Sequence, residues 1–339
     1  MDEIFYIKGW QSSAHGYQTM QVNNSSRLIF FKAYRLGAYF CGLFLLCISF
    51  LWACQPSGNK TMLTELHFGI QGVKDFQRNQ SIFDNNYMEP VGMGFQDLSW
   101  RDSALGQVRI YTAESHLDIP NVSSAMGTAF DRKTYQGIHG IDVMSHFYAE
   151  NGISLEQYYQ AYANVVNELK KNNWRQFYYA SEARIAPQDN LKYMLNKPGY
   201  SINPTSLLSF EQWQQVLSRS RGLTLTVYNS DVALDIRFSP LPRPRASNEE
   251  NETQENRPFN LDISYAFTTL RYNARNVVGV TNEGDVKVDD FNDDEYKRAF
   301  QKYIEEKQKH RLNAEQEARA KGYHIDENYQ DPNFWKYSK

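Results

Sequence analysis

The chain has 339 residues, with 36 basic and 39 acidic side chains, a net charge of −3 and three cysteines. A mildly acidic balance with no basic stripe speaks against nucleic-acid binding. Cys41, Cys47 and Cys54 all fall in one apolar stretch, which leaves the rest of the chain without disulfides, thiol nucleophiles or Cys-ligated zinc.

That stretch comes first in chain order. Residues 36–53, LGAYFCGLFLLCISFLWA, form an uncharged run preceded by Arg27, Lys32 and Arg35. Its length is at the lower limit for a membrane-spanning helix, and cations on its N-terminal side favour sending the C-terminal portion across. A basic region, an apolar core and a small residue before the cut describe a secretory signal. The tetrad Leu51-Trp52-Ala53-Cys54 resembles the bacterial lipobox, although Trp52 stands where that pattern has a small residue. The resemblance implies a Cys54 that carries lipid and becomes the mature N-terminus. The alternative is an uncleaved signal anchor over 36–53, with residues 1–35 in the cytoplasm; Met20 would open a more ordinary basic region. In both readings the membrane is a partner and the remaining chain lies on the periplasmic side. Without residues 1–53 the chain keeps 32 basic and 37 acidic residues.

The organisation expected is a signal peptide or anchor (1–53), a tether (54–61), a strand- and loop-rich part (62–150) and an α+β part (151–339). Residues 62–76 alternate and read as one or two strands, 77–104 as loop, and 106–113 as a strand. A short helix is expected after Gly140. Ser154 and Gln157 have capping-box spacing, and Leu155, Tyr158, Tyr159, Tyr162, Val165, Val166 and Leu169 predict a helix to about Asn172. Residues 174–185 carry a strand in this reading. Ser209 and Gln212 open a helix over 210–218.

A hairpin follows, in which Leu223, Leu225 and Val227 alternate, residues 229–231 turn, and Val232, Leu234, Ile236 and Phe238 alternate again. Residues 239–258 lack apolar side chains after Leu241 and read as a disordered insertion. Leu261, Ile263, Tyr265 and Phe267 predict another strand. A last helix, 292–321, opens on Asn292 and Glu295; its first half carries an apolar stripe, and its polar second half projects or lies on a partner. The fold class expected is α+β: an antiparallel sheet with packed helices and a long C-terminal helix.

Candidate chemistry is sparse. Asp142, His146 and Glu150 recur every four residues and, with His139, would suit a metal only if they shared a helical face; otherwise they form a solvated polar face. Ser57 and Lys60 fit an SxxK string inside the tether, where chance explains it. There is no GxSxG elbow, Walker loop or dinucleotide fingerprint, and no cofactor is implied. Asp289, Asp290, Asp293, Asp294 and Glu295 lack a calcium-loop spacing and suit a helix start. The sequons at Asn59, Asn79, Asn121 and Asn251 matter only in a eukaryotic cell. Aromatic residues are abundant, at 23 Tyr, 20 Phe and 6 Trp; they suit a β-rich core or a recognition surface.

The strings TSLLSFEQWQQVLSRSRGLTLTVYNSDVALDIRF and LNAEQEARAKGYHIDENYQDP resemble bacterial envelope lipoproteins that act as type VI secretion immunity proteins. The likeness spans roughly 154–332 and rests on layout. It implies a lipid-anchored periplasmic α+β protein, not an enzyme, that binds and blocks a cognate toxin. Gln55, which follows the cysteine where Asp would retain the protein at the inner membrane, implies the outer membrane. The second possibility is a structural or assembly lipoprotein that docks on another envelope protein. The tail residues Tyr323, Tyr329, Phe334 and Trp335 are the expected partner surface.

Overall fold

The computed structural model describes residues 63–79, 93–100, 104–130, 136–148, 152–197, 201–204, 206–219, 222–242, 259–281 and 293–335. In chain order these hold β1 (Leu63–Leu66), α1 (Gly69–Asn79), β2 (Met93–Ser99), β3 (Gly106–Tyr111), β4 (His116–Phe130) and β5 (Ile138–Phe147). Next come α2 (Leu155–Lys171), β6 (Arg175–Gln176), α3 (Pro187–Asn196), α4 (Phe210–Arg219) and β7 (Leu223–Asn229). The chain then runs through β8 (Val232–Pro242), β9 (Phe259–Thr269), α5 (Leu270–Thr281) and α6 (Asp293–Ala320).

The nine strands make one sheet in the order β1-β3-β4-β5-β9-β8-β7-β6, with β2 also paired to β4. β1 and β3 are parallel, and the other pairs are antiparallel. Because side chains alternate between faces along a strand, register decides which residues form the core. Leu98, Ala125, Val143, Tyr265, Ile236 and Leu225 stand side by side across six strands, and none is more than 3% exposed. Onto this face pack Phe76 of α1, Tyr158, Tyr162 and Val166 of α2, and Trp213 of α4. Tyr158 meets Trp213 edge-on at 4.8 Å.

Residues 60–339 form one compact unit, and the β5–β9 pairing carries the sheet across the boundary expected at 150/151. The box over Ser154 and Gln157 caps α2, with Gln157 N–H donating to the Ser154 hydroxyl at 3.2 Å and Ser154 N–H to Gln157 Oε1 at 2.8 Å. Ser209 and Gln212 make the same reciprocal pair at α4. The hairpin turns as expected, with Ser230 in the left-handed region at φ 47°.

Several expectations are corrected. The segment after Gly140 is strand, not helix, because β4 and β9 pair with it on both sides. Within 62–76 only Leu63–Leu66 is strand; α1 follows, and its Asp75, 1% exposed, accepts the His67 backbone N–H at 3.1 Å. The loop-rich segment 77–104 also contains β2, and the strand expected within 174–185 is the two-residue β6. Residues 239–242 continue β8 against β9, while 243–258 lie outside the described residues. The last helix is observed as Asp293–Ala320, and its second half does not project. Ala314 and Ala318 pack with Ala183, Ile185, Tyr323 and Ile325. No helix among the described residues is long and apolar enough to cross a membrane; residues 36–53 lie outside them.

Candidate functional site

The alternation that fills one face of the sheet leaves the other mostly to polar side chains. Asp97, Met126, Asp142, Ala266, Asp235 and Thr226 form one row across β2, β4, β5, β9, β8 and β7. Ser99, Ser124, Met144, Ser264, Arg237 and Thr224 form the next. Among the described residues, apolar packing reaches this face at Ala233 and Tyr228, under Phe177, Leu270 and Phe334.

On β7, β8 and β9 this face becomes the floor of a groove of about 400 Å³. Thr224, Thr226, Asp235, Arg237, Ser264 and Ala266 line the floor, and Tyr179, Glu182 and Ser201 line the wall. The Tyr179 hydroxyl donates to Asp235 Oδ2 at 3.0 Å, and its backbone N–H donates to Glu182 Oε2 at 2.9 Å. One tyrosine therefore spans two carboxylates. Burial pushes both upward from the ordinary carboxylate range, and the charge of Asp235 adds to the rise at Glu182. Bonds from Thr226 and Tyr179 and the charge of Arg237 offset part of the rise at Asp235. Among the described residues no cation lies within 4 Å of either carboxylate.

The wall is held from behind by α6. Arg311, 5% exposed, donates to the carbonyl of Tyr179 at 2.9 Å and to both oxygens of Asp331 at 2.7 and 3.0 Å. One turn on, Glu315, 1% exposed, accepts two side-chain bonds and a longer backbone N–H bond from Arg184. Two nearly buried charges on one face of α6 thus fix both ends of residues 179–184.

The residues expected from sequence do not converge. His139 is 6% exposed and stacks on Tyr272 at 3.8 Å. Asp142 and His146 share one face of β5, and a bulge at residues 138–140 interrupts the alternation at His139. His146 Nδ1 lies 2.5 Å from Asp262 Oδ1. Asp142 keeps solvent access by area, yet the protein around it displaces enough water to push its carboxyl up to about 6. Among the described residues no group of three His, Cys, Asp or Glu could hold a metal ion. Glu150, Cys54, Ser57, Lys60, Asp289, Asp290 and Asn292 lie outside the described residues.

The aromatic tail is packed on its own domain. Tyr323 is 7% exposed among Ala183, Ile185, Ala318 and Ile325, and its hydroxyl accepts from Asn196 at 2.8 Å. The Tyr329 hydroxyl accepts the Tyr178 N–H at 3.2 Å, with the two rings edge-on at 4.8 Å. Phe334 and Trp335 pack on Phe300. Of the expected partner surface Tyr323 is thus buried, while Tyr329, Phe334 and Trp335 are half-buried against their own domain.

No sequence motif marks the groove residues as a site. Asp235 and Arg237 are the polar positions of an alternating strand, which the sequence reads as solvent-facing. What it does not show is Tyr179 and Glu182 folding over them. Compared with protein-family models, curated proteins and solved structures, the chain matches none.

Proposed function

We propose that this protein is a lipid-anchored binding protein of the bacterial envelope. In this reading it acts by binding, not catalysis, and holds a protein partner against the polar face of its sheet. The observation that carries the reading is the face itself: two adjacent rows, six strands wide, in which nine of twelve side chains are polar or charged, on a sheet braced from behind by a continuous core. Such a rigid polar surface suits recognition by hydrogen bonds and complementary charge. A tether and a lipid on Cys54 would keep the surface concentrated at the membrane.

The resemblance to immunity lipoproteins supplies the partner class, a secreted antibacterial effector that reaches the periplasm. The test has two parts. Intact mass of the membrane-extracted protein should show a species that begins at Cys54 with added acyl mass, absent from Cys54→Ala. Cells expressing the effector encoded beside this gene should survive with the wild-type chain and die with Ser264→Trp, which places a bulky ring on the face. Protection that persists in a folded Ser264→Trp variant sinks the surface assignment, and a full-length unmodified mass sinks the lipid anchor.

A further inference from the structure

The groove has a charge pattern that a flat protein surface does not require. Glu182 and Asp235 face the same space, are spanned by Tyr179, and repel one another. No cation of the described chain stands within 4 Å to neutralise them. Lys197 and Arg311 act on Glu182 only from beyond ion-pair distance, so two like charges drawn from bulk water without a paired counter-ion are held at a cost, and a cationic group bound between them would relieve it. Arg237 supplies the opposite sign. It lies two residues along β8 from Asp235 on the same face, a spacing of about 7 Å, and its charge is felt at Asp235 without an ion pair. The remaining lining is four hydroxyl side chains, Tyr179 and one alanine. At about 400 Å³ the space has the size of a small-molecule site, though its lining is more polar than such sites generally are.

We propose that this groove binds an α-amino-acid zwitterion, with the ammonium between Glu182 and Asp235, the carboxylate on Arg237, and the side chain over Ser264 and Ala266. A plain cation satisfies the acids but meets Arg237, and a plain anion meets the two acids. A molecule that carries both charges a few ångströms apart satisfies all three. The Thr224 and Ser264 hydroxyls add donors and acceptors in the same space. This site goes beyond the protein-binding role proposed above and does not depend on it.

The test is calorimetric titration of the full-length, detergent-solubilised protein with glycine, L-alanine, D-alanine and L-lysine, beside methylamine and acetate as single-charge probes. At least one amino acid should bind saturably, and methylamine and acetate should each bind at least about tenfold more weakly. Asp235→Asn and Arg237→Gln should each weaken amino-acid binding by about tenfold or more, while Lys171→Gln, far along the chain on α2, leaves it unchanged. Arg237 is exposed, so its substitution tests recognition with little risk to folding, and near-ultraviolet dichroism confirms the fold of each variant. Absence of saturable binding by all four amino acids overturns the proposal. So does methylamine binding as tightly as the amino acids, or unchanged affinity in Arg237→Gln. Survival of effector-challenged cells with the wild-type chain reports on the protein partner, and the amino-acid titrations report on the groove, so the two readings fail separately.

Discussion

Arg184 and Glu315 form a two-pronged ion pair across the back of the groove wall, with Nε to Oε1 at 2.6 Å and Nη2 to Oε2 at 3.0 Å. The partners are unequally buried: the arginine side chain is 20% exposed and the glutamate 1%. Burial alone would raise the Glu315 carboxyl, but the Arg184 bonds and charge, with Arg319 at 4.0 Å, more than offset it and hold the pKa below the ordinary range.

The inequality sets the first prediction. Glu315→Ala leaves an arginine that can turn its head toward water, whereas Arg184→Ala strands a buried carboxylate with only the residue 184 backbone N–H at 3.4 Å and Arg319 at 4.0 Å nearby. Breaking a buried pair costs roughly 3–5 kcal/mol; Arg184→Ala is expected near the lower end of that range, and Glu315→Ala at about 2 kcal/mol. Urea unfolding midpoints of the two variants measure the difference. Equal losses would mean that the residual Arg319 contact neutralises Glu315 as well as Arg184 does. Because the Glu315 pKa is depressed in the folded state, the pair's contribution is present above the unfolded carboxylate range and fades as pH falls through the folded value.

Asp142 is predicted to act in the opposite direction. Its folded carboxyl titrates at about 6, raised from 3.8 by burial, so the folded state binds the proton more tightly than the unfolded chain. Stability from this group therefore rises as pH falls through about 6 toward the unfolded carboxylate range, and is lowest at neutral pH. Asp142→Asn should raise the melting temperature at pH 7.5 and flatten the slope between the folded and unfolded values. Thermal unfolding across that window checks it. An unaltered slope in the variant would assign the titration to the other raised carboxylates, Asp97, Glu182 and Asp235.

Much of this frame is legible in the sequence where a local rule is strong. The α2 box at Ser154 and Gln157, the Ser209 cap and the hairpin about Ser230 each depend on neighbours within a few residues. β9 declares itself through Leu261, Ile263, Tyr265 and Phe267. The failures are non-local. Gly140 reads as a breaker, yet β5 is fixed by partners on both sides that no short window contains. Tyr323 and Tyr329 read as a free aromatic strip because Ala183, Ile185 and Tyr178, which cover them, are more than a hundred residues away. The groove combines both cases: alternation assigns Asp235 and Arg237 to the polar face, but only the path of 179–182 over that face turns it into a cavity.

The capping box at α2 is a local device with a measurable contribution. Ser154→Ala removes the acceptor for Gln157 N–H and frees the Gln157 side chain from the Ser154 amide. The expected loss is about 1 kcal/mol, since the helix is also held by Tyr158, Tyr162, Val166 and Leu169 in the core. Ser154→Asp, which keeps an acceptor at the positive end of the helix, should recover most of it. Denaturant midpoints with unchanged m-values check both.

The tail's role is tested at Asp331. Its carboxylate takes two bonds from Arg311, whose guanidinium also holds the Tyr178 and Tyr179 carbonyls at 3.5 and 2.9 Å. Asp331→Ala leaves Arg311, with a side chain 6% exposed, bonded only to those carbonyls. Because Asp331 itself is one-third exposed, the loss is expected at about 2 kcal/mol, below the range for fully buried pairs. The consequence should also be local. With Arg311 free to swing toward water, residues 178–184 lose an anchor, and their amides should exchange faster than those of α2, which is packed in a separate core cluster. Amino-acid affinity should then fall although Asp331 does not line the groove. Hydrogen exchange resolved by peptide separates the cases: protection lost equally over 178–184 and α2 would mean global destabilisation, and the wall would not be held by this pair.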